Sequence, residues 1–220
     1  MDRVKTAVLI SGRGSNLQAL IDAAADPAFP AQITLVLSNT PDAAGLDRAH
    51  QAGIATAVVP HRTFPDRSTF DDAIHRVLTD HGVALVCLAG FMRILGAEIT
   101  RAWQGRMLNI HPSLLPSFKG LDTHRRVLAS GARFSGCTVH FVTADMDAGP
   151  IIAQSVLPVL PDDTDDVLAD RVLAAEHRCF PLALRLVASG CCRLYGDRVI
   201  YRDVAWPDNG ITTPIAPVKA

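Results

Sequence analysis

The 220-residue chain carries 21 Lys and Arg against 22 Asp and Glu, a formal net charge of -1 with pI near 6.7, and no clustered basic surplus, so no nucleic-acid partner is expected. That length suits one large domain, or one domain with a small appendage. The cysteines Cys87, Cys137, Cys179, Cys191 and Cys192 are odd in number and lack C-x-x-C spacing, no run reaches the ~18 apolar residues of a membrane span, and the N-terminus holds no signal-peptide stretch, which together predict a cytoplasmic protein with no membrane partner.

Short apolar and β-branched runs at 7–10, 33–37, 56–59 and 84–88 predict strands, and 16–25, 43–52 and 68–81 carry apolar residues at three- and four-residue intervals and predict helices. Strand-helix alternation of this kind argues for a Rossmann-like, doubly wound, mostly parallel α/β sheet. Ser11-Gly12-Arg13-Gly14-Ser15-Asn16 joins the first strand to the first helix, where backbone N–H groups and the helix dipole suit a phosphate. The dinucleotide pattern fails here: Leu17 stands at the third glycine position, and the second strand ends in Ser38-Asn39 instead of an acid. The loop therefore reads either as a single-phosphate site, with side-chain donors from Ser15 and Asn16, or as an ordinary tight turn. Arg67, in a Pro-rich loop, reads as added positive charge for that site or as a solvated side chain. Ala89-Gly90-Phe91-Met92-Arg93-Ile94-Leu95 either lines an apolar pocket for a flat ring system or tucks beneath the sheet.

A fifth strand at 107–110 ends in Asn109-Ile110-His111-Pro112-Ser113-Leu114-Leu115-Pro116. Side chains two apart share one face of a strand, so Asn109 and His111 leave its carboxyl end together, where open α/β sheets bind ligands. An amide donor beside an imidazolium suits an oxygen that gains negative charge. A short helix near 123–130 follows, then strands at 138–142 and 151–159, read as an antiparallel C-terminal portion around Asp145-Met146-Asp147-Ala148-Gly149-Pro150. The acidic run 162–166 opens a long helix to about 188, a hairpin is predicted at 193–202, and the tail 207–220 reads as irregular or mobile. On this reading 1–190 form one catalytic domain, its N-terminal half binding a phosphate, and 191–220 a hairpin and tail.

Asp147 could orient an imidazole or accept a proton through water, or be an ordinary turn residue. His140 is a site neighbour or a core histidine. His124 sits at a helix start, capped by Asp122 or Thr123, with a surface role as the default. His50, His61, His75, His81 and His177 have no metal-ligand spacing, so no metal is expected, and neither G-x-S-x-G nor an activated cysteine supplies a nucleophile.

Taken together, Ser11–Gln18, Ser38-Asn39, Leu88–Leu95, Gly105–Pro116, Gly136–Asp147, Gly149-Pro150 and Arg171–Pro181 resemble the phosphoribosylglycinamide formyltransferase family of folate-dependent formyltransferases over roughly residues 5–190. The resemblance implies Asn109, His111 and Asp147 as the catalytic trio. It implies a ribonucleotide site at Gly12, Arg13, Gly14, Ser15 and Asn16, assisted by Arg67 and, on the ribose side, Glu176. It places a folate site at Met92, Arg93, Ile94, Leu95, Arg106, Val142, Thr143, Ala144 and Asp145. Asp122 departs from the family, some members of which carry a histidine there, and no relay role is carried to it. The implied reaction moves the formyl group of 10-formyltetrahydrofolate to 5'-phosphoribosylglycinamide, directly and without metal, in a monomer or homodimer. The alternative is 10-formyltetrahydrofolate hydrolase, with water as acceptor. Hydrolases of that kind carry an N-terminal regulatory domain, for which a first strand starting within six residues leaves no room.

Overall fold

The computed structural model describes residues 2–206 and the backbone of Thr212–Thr213, and the chain divides into two compact units, Met1–Asn109 and Ile110–Ala220.

The first unit contains β1 (Val4–Ile10), α1 (Ser15–Ala24), β2 (Ala31–Ser38), α2 (Gly45–Gln51), β3 (Ala55–Val58), a 3-10 turn (His61–Thr63), α3 (Arg67–Asp80), β4 (Leu85–Leu88), α4 (Ala97–Ala102) and most of β5 (Met107–His111). Its strands run in the order β3-β2-β1-β4-β5, all parallel. Ala7, Val8, Leu9 and Ile10 are wholly buried, as are Leu35, Val36 and Leu37. Continuous apolar runs mark strands covered on both faces. Because the chain builds outward from β1 to β3 and then returns to place β4 on the other side of β1, the strand order reverses between β1 and β4, the crevice in which such sheets hold ligands. The 3-10 turn and α4 went unpredicted, and with three and six residues neither is long enough to show a hydrophobic period.

The second unit takes up the last two residues of β5 and adds α5 (Thr123–Ser130), β6 (Phe134–Phe141), β7 (Ile151–Pro158), α6 (Asp165–Ala188), the hairpin β8 (Cys192–Tyr195) and β9 (Arg198–Tyr201), and β10 (Thr212–Thr213). The order is β5-β6-β7-β10, with β6-β7 and β7-β10 antiparallel, and β8-β9 forms a separate two-stranded sheet. The expectation of an irregular tail is corrected at Thr212–Thr213, which pair with Ser155 and Gln154 of β7, while 207–211 and 214–220 lie outside the described residues. The long helix starts later than its acidic run suggests. Thr164 caps it by accepting from the Val167 N–H at 3.3 Å, and Asp165 and Asp166 occupy the first turn. Asp163 is held outside the helix by the Leu160 N–H and Arg171.

The fold class is thus α/β with a mixed sheet, mostly parallel and antiparallel at its C-terminal strands. No helix among the described residues is long and apolar enough to cross a membrane.

Candidate active site

In the first unit the glycine loop is shaped by close backbone packing against α2. Gly14 has φ 70 and stands at the N-cap of α1, and a Cβ there would lie 2.7 Å from the Gly45 Cα. Only glycine meets both demands. The Gly45 N–H donates to the Gly12 carbonyl at 3.0 Å, and Arg48 Nε donates to the Arg13 carbonyl at 3.0 Å. Gly12 differs: a Cβ there would meet nothing within 4 Å. Asn16 is buried on α1, and α1 has no side-chain cap.

The Ser11 hydroxyl joins this loop to its neighbours. It accepts the Met92 N–H at 2.7 Å and donates to Asn39 Oδ1, which ties the ends of β1, β2 and the segment after β4 together. Asn39, which stands where a dinucleotide site would carry an acid, also bonds His61 at 3.1 Å.

The segment after β4 is partly buried and partly exposed. Phe91 and Leu95 turn into the core, Phe91 stacking on Phe70 at 6.5 Å, whereas Met92 and Ile94 stand 71% and 58% exposed and Arg93 is exposed. Two large apolar side chains held in solvent fit the face of a ring system.

Of the two basic residues outside the loops, Arg67 alone is placed otherwise than expected. Arg106 lies at the amino end of β5, its guanidinium 4.6 Å from the Trp103 ring and donating to the Ala102 carbonyl, so the structure does not bring it to the carboxyl end where Asn109 leaves the strand. Arg67 is the first residue of α3, not part of a loop, and lies with Asp71 and Gly96 in a groove of about 540 Å³ between α3 and α4.

In the second unit His111, 5% exposed, ends β5. Its Nδ1 lies 3.3 Å from Asp147 Oδ2 and its Nε2 lies 3.0 Å from the Phe118 carbonyl. Both ring nitrogens thus face acceptors. Only an imidazolium satisfies both, since a neutral ring has one donor. Asp147 is itself fixed by the Gly120 N–H, which donates to Oδ2 at 2.9 Å. The Asp147 backbone has φ 50, a conformation costly for a residue with a Cβ and characteristic of functional sites.

His140 completes the cluster. Its Nε2 is 3.8 Å from Asp147 Oδ1 and its Nδ1 donates to the Phe141 carbonyl at 2.9 Å. Burial holds its pKa below the ordinary value, outweighing the Phe141 carbonyl and the Asp147 charge, which push it up. One carboxylate therefore faces two imidazoles. The ring is placed by a register shift between Val139 and His140 and by Gly149, where a Cβ would stand 1.7 Å from the Phe141 carbonyl oxygen.

Thr143, Ala144 and Asp145 are exposed and Val142 half-buried in the loop that leads to Asp147. Glu176 is buried on α6, near enough to Cys137 of β6 to act on it electrostatically. Asp122 does not cap α5 by its side chain; it has φ 55 and an exposed ion pair with Arg125 at 2.6 Å. His124 is half-buried and not at the surface, with its Nδ1 sealed from solvent, and burial lowers its pKa. The thiols of Cys87 and Cys192 are pushed up by burial, Cys192 to about 12, and the free Cys137 thiol is pushed up by a hydrogen bond with the Cys179 thiol and by burial, so none of these three supplies a thiolate. The Phe118 carbonyl and the Gly120 N–H escaped sequence reading because backbone groups carry no residue signature.

Residues 4–184 match the family model described as formyl transferase. The chain is 55% identical over 192 residues to the trifunctional purine biosynthetic protein adenosine-3 of Bos taurus, covering 87% of this chain and 19% of that protein, so it spans about a fifth of such relatives. It is 42% identical over 201 residues to the phosphoribosylglycinamide formyltransferase of Escherichia coli, covering 91% and 92% of the two chains. The solved glycinamide ribonucleotide transformylase 1 of Symbiobacterium toebii superposes with a TM-score of 0.88 at 46% identity, covering 91% of this chain and 95% of that one. On this footing the chain belongs to the formyl transferase family, among the phosphoribosylglycinamide formyltransferases.

Proposed function

We propose that the protein transfers the formyl group of 10-formyltetrahydrofolate to the amine of 5'-phosphoribosylglycinamide, giving the N-formyl product and tetrahydrofolate in de novo purine synthesis in the cytoplasm. The observation that carries this reading is His111 held between Asp147 and the Phe118 carbonyl, two residues after Asn109 on one strand. Asn109 and the His111 imidazolium stabilise the formyl oxygen as it gains negative charge during attack by the amine. The new carbon–nitrogen bond forms on the glycinamide and the bond to the folate nitrogen breaks. Asp147 keeps His111 charged and passes a proton from the amine, through water, toward the departing nitrogen. Folate supplies the formyl group as co-substrate. Met92 and Ile94 offer its ring an apolar face, with Arg93 and Leu95 in the same segment, and Val142, Thr143, Ala144 and Asp145 take the remaining folate role that family membership suggests.

Gly12, Arg13, Gly14, Ser15 and Asn16 take the substrate phosphate at the start of α1, and Glu176 takes the ribose. Holding the phosphate converts remote binding energy into orientation of the amine.

Formyl transfer assayed with and without the ribonucleotide tests the reading. Folate should lose its formyl group only when the ribonucleotide is present, and chelator-treated protein should keep full activity. Deformylation independent of the ribonucleotide would establish the hydrolase, and activity that returned only with zinc would end the metal-free mechanism.

The glycines make a second test. Gly12→Val projects into open space and should raise the ribonucleotide KM by about tenfold or more with the melting temperature unchanged. Gly14→Val, which meets Gly45, should instead lower stability, so damage common to both substrates is expected there alone. A Gly12→Val enzyme with normal ribonucleotide kinetics would remove the phosphate from this loop.

A further inference from the structure

Asp71 of α3 is 6% exposed and takes no part in the chemistry above. Its Oδ2 accepts the Gly96 N–H at 2.7 Å, while its Oδ1 is sealed from solvent with no hydrogen-bond partner. Burial holds the carboxyl above its ordinary pKa, although the Gly96 N–H and the Arg67 guanidinium pull the other way. A half-satisfied buried carboxylate is destabilising by itself, so its one strong bond directs attention to what that bond holds.

Gly96 directly follows Met92–Leu95. A Cβ there would stand 2.9 Å from Asp71 Oδ2, and Gly96 has φ -76, which any residue adopts. Glycine is needed at this position for the carboxylate to approach, not for the backbone angle. At its other end the segment is fixed by the Met92 N–H on the Ser11 hydroxyl. Between these two anchors Phe91 and Leu95 are buried while Met92 and Ile94 are held out in solvent.

We infer that Asp71 is a positioning residue for the folate co-substrate, its carboxylate gripping Gly96 so that the segment 92–95 presents its apolar side chains in a fixed arrangement. The inference rests on the proposed folate role of that segment.

Steady-state kinetics of Asp71→Ala, Asp71→Asn, Gly96→Ala and Ile94→Ala, with melting temperatures, test it. Asp71→Ala and Gly96→Ala should each raise the folate KM about tenfold, the scale of a lost bond to a charged group, with ribonucleotide KM and kcat nearly unchanged. Asp71→Asn, which keeps an oxygen facing the Gly96 N–H, should recover most of the affinity. Ile94→Ala should raise the folate KM independently. A raised folate KM in Ile94→Ala with a normal one in Gly96→Ala and Asp71→Asn, and in Asp71→Ala where it folds, overturns the positioning role while leaving the folate reading intact. A normal folate KM in Ile94→Ala removes the segment from the folate site and the inference with it. Equal damage to both substrates at lowered melting temperature reduces Asp71 to a structural residue and also overturns it.

Discussion

His111→Ala is expected to lower kcat by about 10²–10³ or more while the KM of each substrate changes little, the pattern of an interaction made only in the transition state. The ground-state formyl group is planar and neutral, and the imidazolium gains its full strength only when charge gathers on the oxygen. Burial raises that strength, since His111 sits at 5% exposure where water screens little. Asn109→Ala should show a loss of the same order, because it removes a donor from the same strand face. Measured kcat and KM, with folate affinity taken separately by equilibrium titration, decide the matter. A kcat close to wild type in either variant would remove that residue from the chemistry.

Asp147→Asn should produce the second large loss, about 10²–10⁴ in kcat, the range of a displaced general acid–base group. The carboxylate accepts the Gly120 N–H and faces His111 Nδ1 through Oδ2, while the His140 ring lies 3.8 Å from Oδ1. An amide of the same shape keeps one oxygen but no charge. His111 then loses the anion that favours its charged form. Imidazole-nitrogen NMR reads this directly, with a proton on both nitrogens of His111 in the wild type and on one in the variant. Near-normal turnover together with unchanged His111 signals would return Asp147 to a plain turn residue.

Much of the fold was legible because its strands are continuous apolar runs and its longer helices carry a clear period. All five predicted strands of the first unit and all three predicted helices form, with ends displaced by at most three residues. What escaped was short or rested on backbone. α4 has six residues, and β6 begins four residues before the predicted 138 because Ser135 and Gly136 give no apolar signal. The site divides along the same line. Asn109 and His111 stand out in the sequence because period-two geometry puts them on one face, whereas Asp147 reads alone as a turn residue and enters the site only through the resemblance. For Arg106 the resemblance transfers only a residue type, while the end of the strand on which a residue falls depends on where pairing begins. Asp71 gave no signal, since an aspartate at helical spacing reads as a solvated face until its burial is seen.

The left-handed backbone of Asp147 sets folding and chemistry against each other at one residue. Aspartate, like asparagine, tolerates this conformation better than most side chains, but glycine alone adopts it freely, and glycine supplies no carboxylate. Thermostabilised variants chosen by melting temperature alone would thus drift toward inactive proteins at position 147, and stabilisation efforts gain from holding it constant while improving sites remote from the turn.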